Sequence, residues 1–408
     1  MKIGLFGGSF DPIHNGHLSM IEGALESGCV DIAVVIPTAR NPFKRGRMLS
    51  AAPYRFYMTK RAVEARFKKN VFLCDIEFFM EGISYTANTI EKFCGKNYLK
   101  TFLKECGLGK KADEDHSFCW ICGSDILPTF DKWYKPEKIL QNAGLLVAQR
   151  PGDSTDIEYE KKRISEALEI DADIRSFEIK GVEAASSAIR EEKDFDDIPE
   201  AALEFIKTHD LYPSEDPLSE VGDEACSVYL DSAIAMYPIL GEKRLLHTLN
   251  TGLLSALYAT RFGADPDKAL IAGALHDCAK EIDIDKQKKM ALKRCPELTT
   301  DPKLYHSPAG AIMASKLMGI DDEEILEAIT FHTTGKKDMT VLDKIVFLAD
   351  KLEPSRTYTD LTLMRELSKT DLDASLILCV KAVKNKFDMK GREIHPYTLE
   401  FMKDLGII

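Results

Sequence analysis

The stretch GGSFDPIHNGHL, residues 7–18, decides the fold of the first half of the chain. It overlaps the end of the apolar run KIGLFGG (2–8), a predicted strand, and leads into an amphipathic helix predicted over 17–28. Glycines at a turn between a strand and a helix let backbone N–H groups approach a phosphate closely. His14 and His17 stand at this turn, where we expect imidazolium groups to stabilise negative charge that develops on phosphorus. The alternative is a pair of surface histidines that cap a helix.

Short apolar runs and helical patterns continue to alternate through the first half. Helices are predicted over 52–66 and 85–93, and further strands over DIAVVIP (31–37), NVFLCDIEF (70–78), SFCWICG (117–123), AGLLVAQRP (143–151) and DIRSFEI (173–179). Strands this apolar, alternating with helices, predict a parallel sheet that is covered on both faces. The predicted fold class is therefore α/β and doubly wound. Residues 95–116 are rich in Lys, Gly and Asp and resemble an insertion, to which we assign no role.

The second half of the chain has a different pattern. From 223 to 408 the apolar residues recur at helical spacing almost throughout, and we predict no strand there. The segment DLYPSEDPLSEVG (210–222) gathers two prolines, serines and acids, as linkers do. We therefore predict one domain over 1–212, a linker over 213–222 and an all-α domain over 223–408. The sequence leaves homo-oligomer formation open.

Charge and composition exclude several classes of partner. The 408 residues carry a net charge of −12, with 29 Lys+Arg against 34 Asp+Glu in 1–212 and 25 against 32 in 213–408. Neither half offers the basic surface that binding to nucleic acid requires. No apolar run approaches the roughly 20 residues of a membrane helix, and the N-terminus lacks a signal-peptide pattern. Ten scattered cysteines, of which Cys119 and Cys122 (CWIC) lie in a predicted buried strand, favour reduced thiols in the cytoplasm.

Several segments of the first half, taken together with GGSFDPIHNGHL, resemble one enzyme family. They are IPTARNPFKRG (36–46), CDIEFFMEGISYTANTI (74–90), WICGSDILPTFDKWYKPEKIL (120–140), LLVAQRPG (145–152) and ASSAIR (185–190). As a set they resemble the nicotinate mononucleotide adenylyltransferase branch of the H-x-G-H nucleotidyltransferase superfamily. The resemblance implies transfer of AMP from ATP to nicotinate mononucleotide, with Mg²⁺ helping pyrophosphate to leave. It leaves open another phosphate acceptor, such as a phosphopantetheine.

The same resemblance implies roles for individual residues. His14, His17, Lys44 and Arg190 would bind the triphosphate and stabilise the transition state, while Gly123 and Asp125 would hold the ATP ribose. Tyr85, Thr86, Trp133 and Tyr134 would line the nicotinate pocket. Further nucleotide or substrate contacts would come from Gly7, Gly8, Ser9, Phe10, Arg150 and Ser187. Without the resemblance, Lys44 is equally a solvated loop charge, Arg190 a helix-surface salt bridge, and Trp133 and Tyr134 core or rim aromatics.

A second set of histidines and aspartates lies in the helical half. His247, His276, Asp277, His306, His332 and Asp350 all stand in apolar helical surroundings. An adjacent His-Asp pair inside an apolar helix is costly unless a partner or a metal satisfies it. Imidazoles combined with carboxylates suit a transition-metal site that can activate water. The alternative, strongest for His306 and His332, is a set of packing histidines that bond to backbone carbonyls.

These residues also carry a family resemblance. The order H…HD…H…H…D, with GALHDCAK (273–280), HSPAGAIMASKLMGIDDEEILEAITFHTTG (306–335) and MTVLDKIVFLADKLEPSR (339–356), resembles the HD-domain symmetrical diadenosine tetraphosphate hydrolases. The resemblance implies that His247, His276, Asp277 and Asp350 bind iron or manganese, with His306 and His332 completing a second position or orienting phosphate. Lys280 and Arg356 would contact phosphate, or they are solvated helix charges. A hydrolase of another specificity and a nucleotide-sensing, non-catalytic module remain alternatives.

Overall fold

The computed structural model describes residues 1–41, 50–150, 152–179, 185–357 and 361–408. Residue contacts divide the chain into two compact units, one formed by residues 1–45 with 54–207 and the other containing 208–408. The segment 213–222 holds neither helix nor strand. No helix in the described parts of the chain combines the length and apolarity that crossing a membrane requires. All ten cysteines are free.

The first unit is built on a six-stranded parallel sheet. Its strands are β1 (Lys2–Gly8), β2 (Ile32–Pro37), β3 (Val71–Leu73), β4 (Ser117–Gly123), β5 (Gly144–Gln149) and β6 (Ile174–Glu178). Their order across the sheet is β3-β2-β1-β4-β5-β6, and every neighbouring pair is parallel. The order reverses between β1 and β4, so the sheet is doubly wound and opens a crevice at the carboxyl ends of these two strands. The predicted fold class of the first half is confirmed.

Helices pack around this sheet, and two local predictions needed correction. The helices are α1 (Asn15–Glu26), α2 (Ala52–Arg66), α3 (Thr86–Cys94), α4 (Lys96–Glu105), α5 (Pro136–Asn142), α6 (Ile157–Leu168), α7 (Ser186–Glu192) and α8 (Glu200–His209). The strand predicted over 70–78 ends at Leu73, and a 3₁₀ turn covers Ile76–Phe79 because Glu77 folds inward to bond Ala39 and Thr89. The segment 95–116 contains α4, whose Leu99, Phe102 and Leu103 join the hydrophobic core.

The second unit is all-α within the residues described, and that prediction too is confirmed. Its helices are α9 (Asp223–Met236), α10 (Glu242–Phe262), α11 (Pro266–Leu275), α12 (Ile284–Arg294), α13 (His306–Met318), α14 (Glu323–Phe331), α15 (Val341–Leu352), α16 (Leu361–Leu367), α17 (Leu372–Met389) and α18 (Pro396–Asp404). The long helix α10 packs closely on α11 through small residues. A Cβ added to Gly252 would lie 3.0 Å from the backbone nitrogen of Ala274, so this close approach requires glycine.

Candidate active sites

The first candidate site is a cleft at the crevice where the strand order reverses. Its volume is about 1410 Å³, and it lies at the carboxyl ends of β1, β4 and β5. The structure brings together fourteen of the predicted residues in its lining: Gly7, Gly8, Ser9, Phe10, His14, His17, Tyr85, Thr86, Gly123, Asp125, Trp133, Tyr134, Arg150 and Ser187. The cleft is large enough to enclose most of a nucleotide-sized ligand.

The two histidines of the turn form a stacked pair at the start of α1. Their ring centroids are 3.7 Å apart, and the backbone N–H of His14 donates to Nδ1 of His17 at 3.2 Å. Since Nδ1 of His17 accepts, the hydrogen of its neutral ring is on Nε2. Nδ1 of His14 is buried and has no hydrogen-bond partner in the described structure. The pair therefore offers ring nitrogens to a ligand in the cleft.

The charge state of this pair differs from the sequence prediction. Burial, helped by the nearby charge of Arg150, lowers the pKa of His14 to about 4. Burial, His14 and Arg150 hold the pKa of His17 well below its usual value. The rings are thus neutral near pH 7 rather than imidazolium, because a buried cation beside a guanidinium is unfavourable. An anionic phosphate beside them would raise both pKa values again.

Glycines in the cleft are required by close contacts. A Cβ on Gly7 would lie 2.2 Å from Cη2 of Trp120, a buried ring of β4, and one on Gly123 would lie 2.3 Å from Oδ1 of Asp125. The Asp125 carboxylate therefore folds back over the end of β4 and faces the cleft. The neighbouring Ser124 hydroxyl donates to the Asp153 carboxylate, which ties this loop to the segment after β5.

Aromatic side chains line one end of the cleft. The rings of Tyr85 and Tyr134 stack with centroids 4.3 Å apart, and the ammonium group of Lys135 lies 4.7 Å from the Tyr134 centroid. Trp133 packs against Phe130 of the core and is only partly buried, so it is a rim aromatic that also reaches the cleft. Flat rings at the edge of a cleft suit a planar heterocycle.

Arg190, a predicted phosphate residue, is not among the described residues that line the cleft. Arg190, on α7, donates to the backbone carbonyl of Asp11 and lies 3.9 Å from the Asp11 carboxylate. It thus braces the turn that carries His14 and has no place in the cleft wall as described. Lys44 falls outside the described residues. Ser186, beside the predicted Ser187, donates to the carbonyl of Pro12 at 2.9 Å and holds α7 to the same turn.

The second candidate site lies inside the helical unit, where all six predicted metal-binding residues converge. His247 is on α10, His276 and Asp277 follow α11, His306 begins α13, His332 follows α14 and Asp350 is on α15. Nε2 of His247 lies 3.1 Å from Oδ1 of Asp350, and Nε2 of His276 lies 3.7 Å from the same atom. Nε2 of His306 and Nε2 of His332 lie 3.3 and 3.5 Å from Oδ1 of Asp277.

The hydrogen bonds of these histidines direct one nitrogen to the centre. Nδ1 of His276 lies 2.6 Å from the carbonyl oxygen of Gly273, and Nδ1 of His332 lies 2.7 Å from that of Ile329. Each Nδ1 therefore carries the hydrogen and donates it, which leaves the Nε2 lone pair for a ligand. The backbone bonding that we considered as the alternative for His332 is present, yet it coexists with an Nε2 that faces Asp277.

The protonation states suit a cation. Burial lowers the pKa of His276 and holds that of His306 well below its usual value. Burial acts to raise the pKa of Asp277 and Asp350, but the histidines around both, and Lys351 beside Asp350, hold each pKa well below its usual range. Burial acts to lower the pKa of His247 too, but its hydrogen bonds to Asp350 and Glu353 raise that pKa overall. Since ionised carboxylates and neutral imidazoles are the forms that bind a metal, His247 would give up a proton on metal binding.

A metal fits this donor set. Among the described residues, Nε2 of His276 and Oδ1 of Asp277 are buried and have no hydrogen-bond partner, although such atoms in a protein interior nearly always have one. Overlapping groups of three ligand atoms within 4.8 Å include all six residues. In the described structure, groups of this kind occur only in the helical unit. An imidazole-rich set with two carboxylates favours a transition metal over Mg²⁺.

Four basic side chains surround this centre, and sequence reasoning missed two of them, Lys351 and Arg244. Arg356 donates to Oδ1 of Asp350 at 2.7 Å, and Nζ of Lys280 lies 2.8 Å from Nε2 of His306. Lys351 lies 3.1 Å from Oδ2 of Asp350. Arg244 donates to Oδ2 of Asp277 at 2.5 Å. The sequence could have indicated Arg244, because it stands three residues before His247 and both therefore lie on one face of α10.

Comparison with known proteins assigns both parts of the chain to a class. Residues 5–192 match the cytidylyltransferase-like family model, and residues 244–355 match the HD domain model. A symmetrical bis(5'-nucleosyl)-tetraphosphatase of Bacillus subtilis is 36% identical over 39% of this chain and 87% of that protein. A probable nicotinate-nucleotide adenylyltransferase of Clostridium tetani is 33% identical over 52% of this chain and 98% of that protein.

One full-length relative combines both names. A probable nicotinate-nucleotide adenylyltransferase/Ap4A hydrolase of Mycoplasma genitalium is 28% identical over 94% of this chain and 98% of that protein. The chain therefore belongs to two families at once, the nicotinate-nucleotide adenylyltransferases and the symmetrical bis(5'-nucleosyl)-tetraphosphatases. Both resemblances found in the sequence are confirmed. The HD domain also implies dependence on a divalent metal.

Proposed function

We propose that this chain is a bifunctional enzyme. Its first domain, for which we propose the boundaries 1–212, transfers AMP from ATP to nicotinate mononucleotide and releases pyrophosphate. Its second unit, 223–408, hydrolyses dinucleoside tetraphosphates such as diadenosine tetraphosphate to two nucleoside diphosphates, and 213–222 is the linker between them. Three relatives support the combination of the two activities in one chain. Two of them each bear the name of one activity, and a third bears both names and matches almost the whole chain. We place both activities in the cytoplasm, where ten free cysteines stay reduced.

In the first unit, the chemistry requires positioning and charge stabilisation more than covalent catalysis. The phosphate of the mononucleotide attacks the α-phosphorus of ATP in line, and negative charge builds up on the non-bridging oxygens. Nε2–H of His17 is a donor for this charge, and the His14 ring stacked on it accepts a proton as the phosphates raise its pKa. Arg150 adds positive charge at the end of β5. Mg²⁺ would enter with ATP, held by the phosphates.

The same cleft contains groups for the rest of both substrates. The Asp125 carboxylate, held next to Gly123, can accept hydrogen bonds from the ribose hydroxyls of ATP. Tyr85, Thr86, Trp133 and Tyr134 form the end where we place the pyridine ring of the mononucleotide. This separation puts the reacting phosphates of both substrates between the two ends, beside the histidine pair.

In the second unit, the six converging residues are the observation that carries the proposal. His247, His276, Asp277 and Asp350 would hold a metal, for which we propose iron or manganese, with His306 and His332 at a second position. A metal bound there would supply water that is acidic enough to attack phosphorus near neutral pH. Arg244, Lys280 and Arg356 would hold the oxygens of the tetraphosphate and fix which phosphoanhydride bond faces the metal-binding residues.

A paired assay tests both activities. The full chain, freed of metal and then supplied with Mn²⁺ or Fe²⁺, is incubated with diadenosine tetraphosphate, and separately with ATP, Mg²⁺ and nicotinate mononucleotide. We expect ADP as the sole product of the first reaction and nicotinate adenine dinucleotide with pyrophosphate in the second. Formation of AMP and ATP from diadenosine tetraphosphate would contradict symmetrical cleavage. Transfer to phosphopantetheine in preference to the mononucleotide would contradict the first activity.

A further inference from the structure

A fully buried carboxylate outside the predicted metal set contacts one of its members. Glu353 lies directly after α15 and has no exposed surface. Its Oε1 atom lies 3.0 Å from Nδ1 of His247 and accepts the Ser355 hydroxyl at 2.7 Å. Its Oε2 atom accepts the amide group of Asn250 at 2.9 Å and the backbone N–H of Ser355 at 2.8 Å. All four partners lie within hydrogen-bond distance, so both oxygens are saturated.

The arrangement determines which nitrogen of His247 carries hydrogen. A carboxylate can only accept, so Nδ1 of His247 must be the donor. In the neutral ring the lone pair is then on Nε2, which lies 3.1 Å from Oδ1 of Asp350, 3.1 Å from the Arg356 guanidinium and 4.0 Å from Oδ2 of Asp277. This is the tautomer in which Nε2 can bind a metal. His276 and His332 use backbone carbonyls for the same purpose, whereas His247 uses a charged side chain.

We propose that Glu353 is a positioning residue that holds His247 in its metal-binding tautomer and thereby sets the affinity of the helical unit for its metal. The inference rests on the proposed metal-dependent function of that unit. A negative charge paired with the far side of a ligating imidazole also makes the ligating nitrogen more basic. Glu353 is not itself a member of the metal set and acts through His247, although its Oε1 atom also lies 3.7 Å from Nε of Arg356.

The requirement is for a carboxylate and not merely for a side chain of that shape. In a Glu353→Gln variant, an NH₂ group must face one of the two donor pairs. If the glutamine NH₂ faced Asn250, it would meet the donor amide of that residue, which also lies 3.0 Å from Nδ1 of His209. The backbone N–H of Ser355 would then have no acceptor. If the NH₂ faced His247 instead, it would meet the Ser355 hydroxyl, which can rotate, and the His247 ring, which can shift its hydrogen to Nε2. The second orientation is the better one, and it removes the ligand lone pair.

The test compares Glu353→Gln with Asp343→Asn in the full chain. Asp343 is also buried and lies on α15, the helix that Glu353 follows, but its partners are Thr340 and Lys336, which are not in the metal set. After metal removal, Mn²⁺ binding is measured by titration calorimetry. We expect a Kd 10- to 100-fold higher for Glu353→Gln and a change below about 3-fold for Asp343→Asn. Equal Kd values for Glu353→Gln and the unmodified chain would overturn the proposal.

A second readout takes its decisive result from the unmodified chain, which does not depend on the folding of a variant. In the full chain labelled with [¹⁵N]histidine and without metal, the nitrogen shifts of His247 report its tautomer. We expect hydrogen on Nδ1 in the unmodified chain and on Nε2 in Glu353→Gln. Absence of hydrogen from Nδ1 in the unmodified chain would overturn the proposal. If the unmodified chain does not cleave diadenosine tetraphosphate, only the proposed function is contradicted. The role of Glu353 is tested separately, because metal affinity and tautomer are measured without substrate.

Discussion

Oδ1 of Asp277 lies 3.3 Å from Nε2 of His306, and this contact joins a loop after α11 to the first residue of α13. The same carboxylate has His332 at 3.5 Å and Arg244 at 2.5 Å. Buried between these groups, it keeps its negative charge only because they are there to stabilise it. Asp277 is therefore the residue on which the geometry of the second site depends most directly.

We predict that Asp277→Asn abolishes metal binding and diadenosine tetraphosphate hydrolysis. The amide keeps the shape of the side chain but removes the charge that attracts a divalent cation and holds the neighbouring imidazoles. Metal content of the purified full chain and the rate of ADP formation measure the effect, with an expected loss of at least 100-fold in kcat/KM. Adenylyl transfer by the same preparation serves as the folding control and should stay within about 2-fold. Full hydrolysis with no bound metal would contradict the role given to Asp277.

For the first site, we predict that His17→Asn lowers kcat for adenylyl transfer by about 100- to 1000-fold, the range seen when a single transition-state donor is removed. The asparagine oxygen can still accept the backbone N–H of His14, which Nδ1 of His17 now accepts at 3.2 Å. It cannot replace Nε2–H, so KM for ATP should change little. Steady-state kinetics with both substrates varied make this measurement.

A matched control for that variant is His116→Asn. His116 belongs to the same unit but does not line the cleft. We expect kcat within about 2-fold of the unmodified chain. A drop in kcat of the same size in both variants would show that His17→Asn acts through folding and not through the transferred phosphoryl group.

The stability of the first unit should fall as the pH falls below about 6.5. The pKa of His14 is lowered to about 4 in the folded chain, chiefly by burial, whereas the unfolded chain has the ordinary value of 6.5. Between these values the unfolded state binds the additional proton, so acid favours unfolding. A shift of this size corresponds to about 3 kcal/mol lost between pH 6.5 and pH 4, and His17 acts in the same direction.

Tryptophan fluorescence isolates this effect, because both tryptophans, Trp120 and Trp133, are in the first unit. Urea unfolding followed by this signal at pH 7 and at pH 4.5 gives the pH dependence. In His14→Asn the difference in unfolding free energy between the two pH values should shrink by about 2 kcal/mol. An unchanged difference would mean that the His14 ring takes up its proton in the folded state as readily as in the unfolded state.

The sequence predicted those features that depend on local pattern. Buried parallel strands are apolar runs, so the sheet could be recognised, whereas α4 was missed because Lys96, Lys100 and Lys104 obscure its buried side. Among the site residues, His14 and His17 are three positions apart in one turn, so the sequence alone predicted that they lie together. Glu353 and His247 are 106 positions apart, and an acid after Asp350 has the appearance of an ordinary helix-end charge. Only the packing of α10 on α15 makes it a partner of His247.

The contact between Gly7 and Trp120 yields a last prediction, Gly7→Ala. The new Cβ would lie 2.2 Å from Cη2 and 2.6 Å from Cζ2 of a ring that is 6% exposed and part of the sheet's core. Since the ring is packed in the core and must shift to make room, overpacking should cost about 1–3 kcal/mol of unfolding free energy, measured by urea titration of the first unit. The turn after β1 must shift as well, so adenylyl transfer should slow while hydrolysis does not.

Gly109→Ala is the control, because its Cβ would meet nothing nearer than 3.4 Å. A Gly7→Ala chain as stable and active as Gly109→Ala would show that Trp120 does not hold the glycine turn in place.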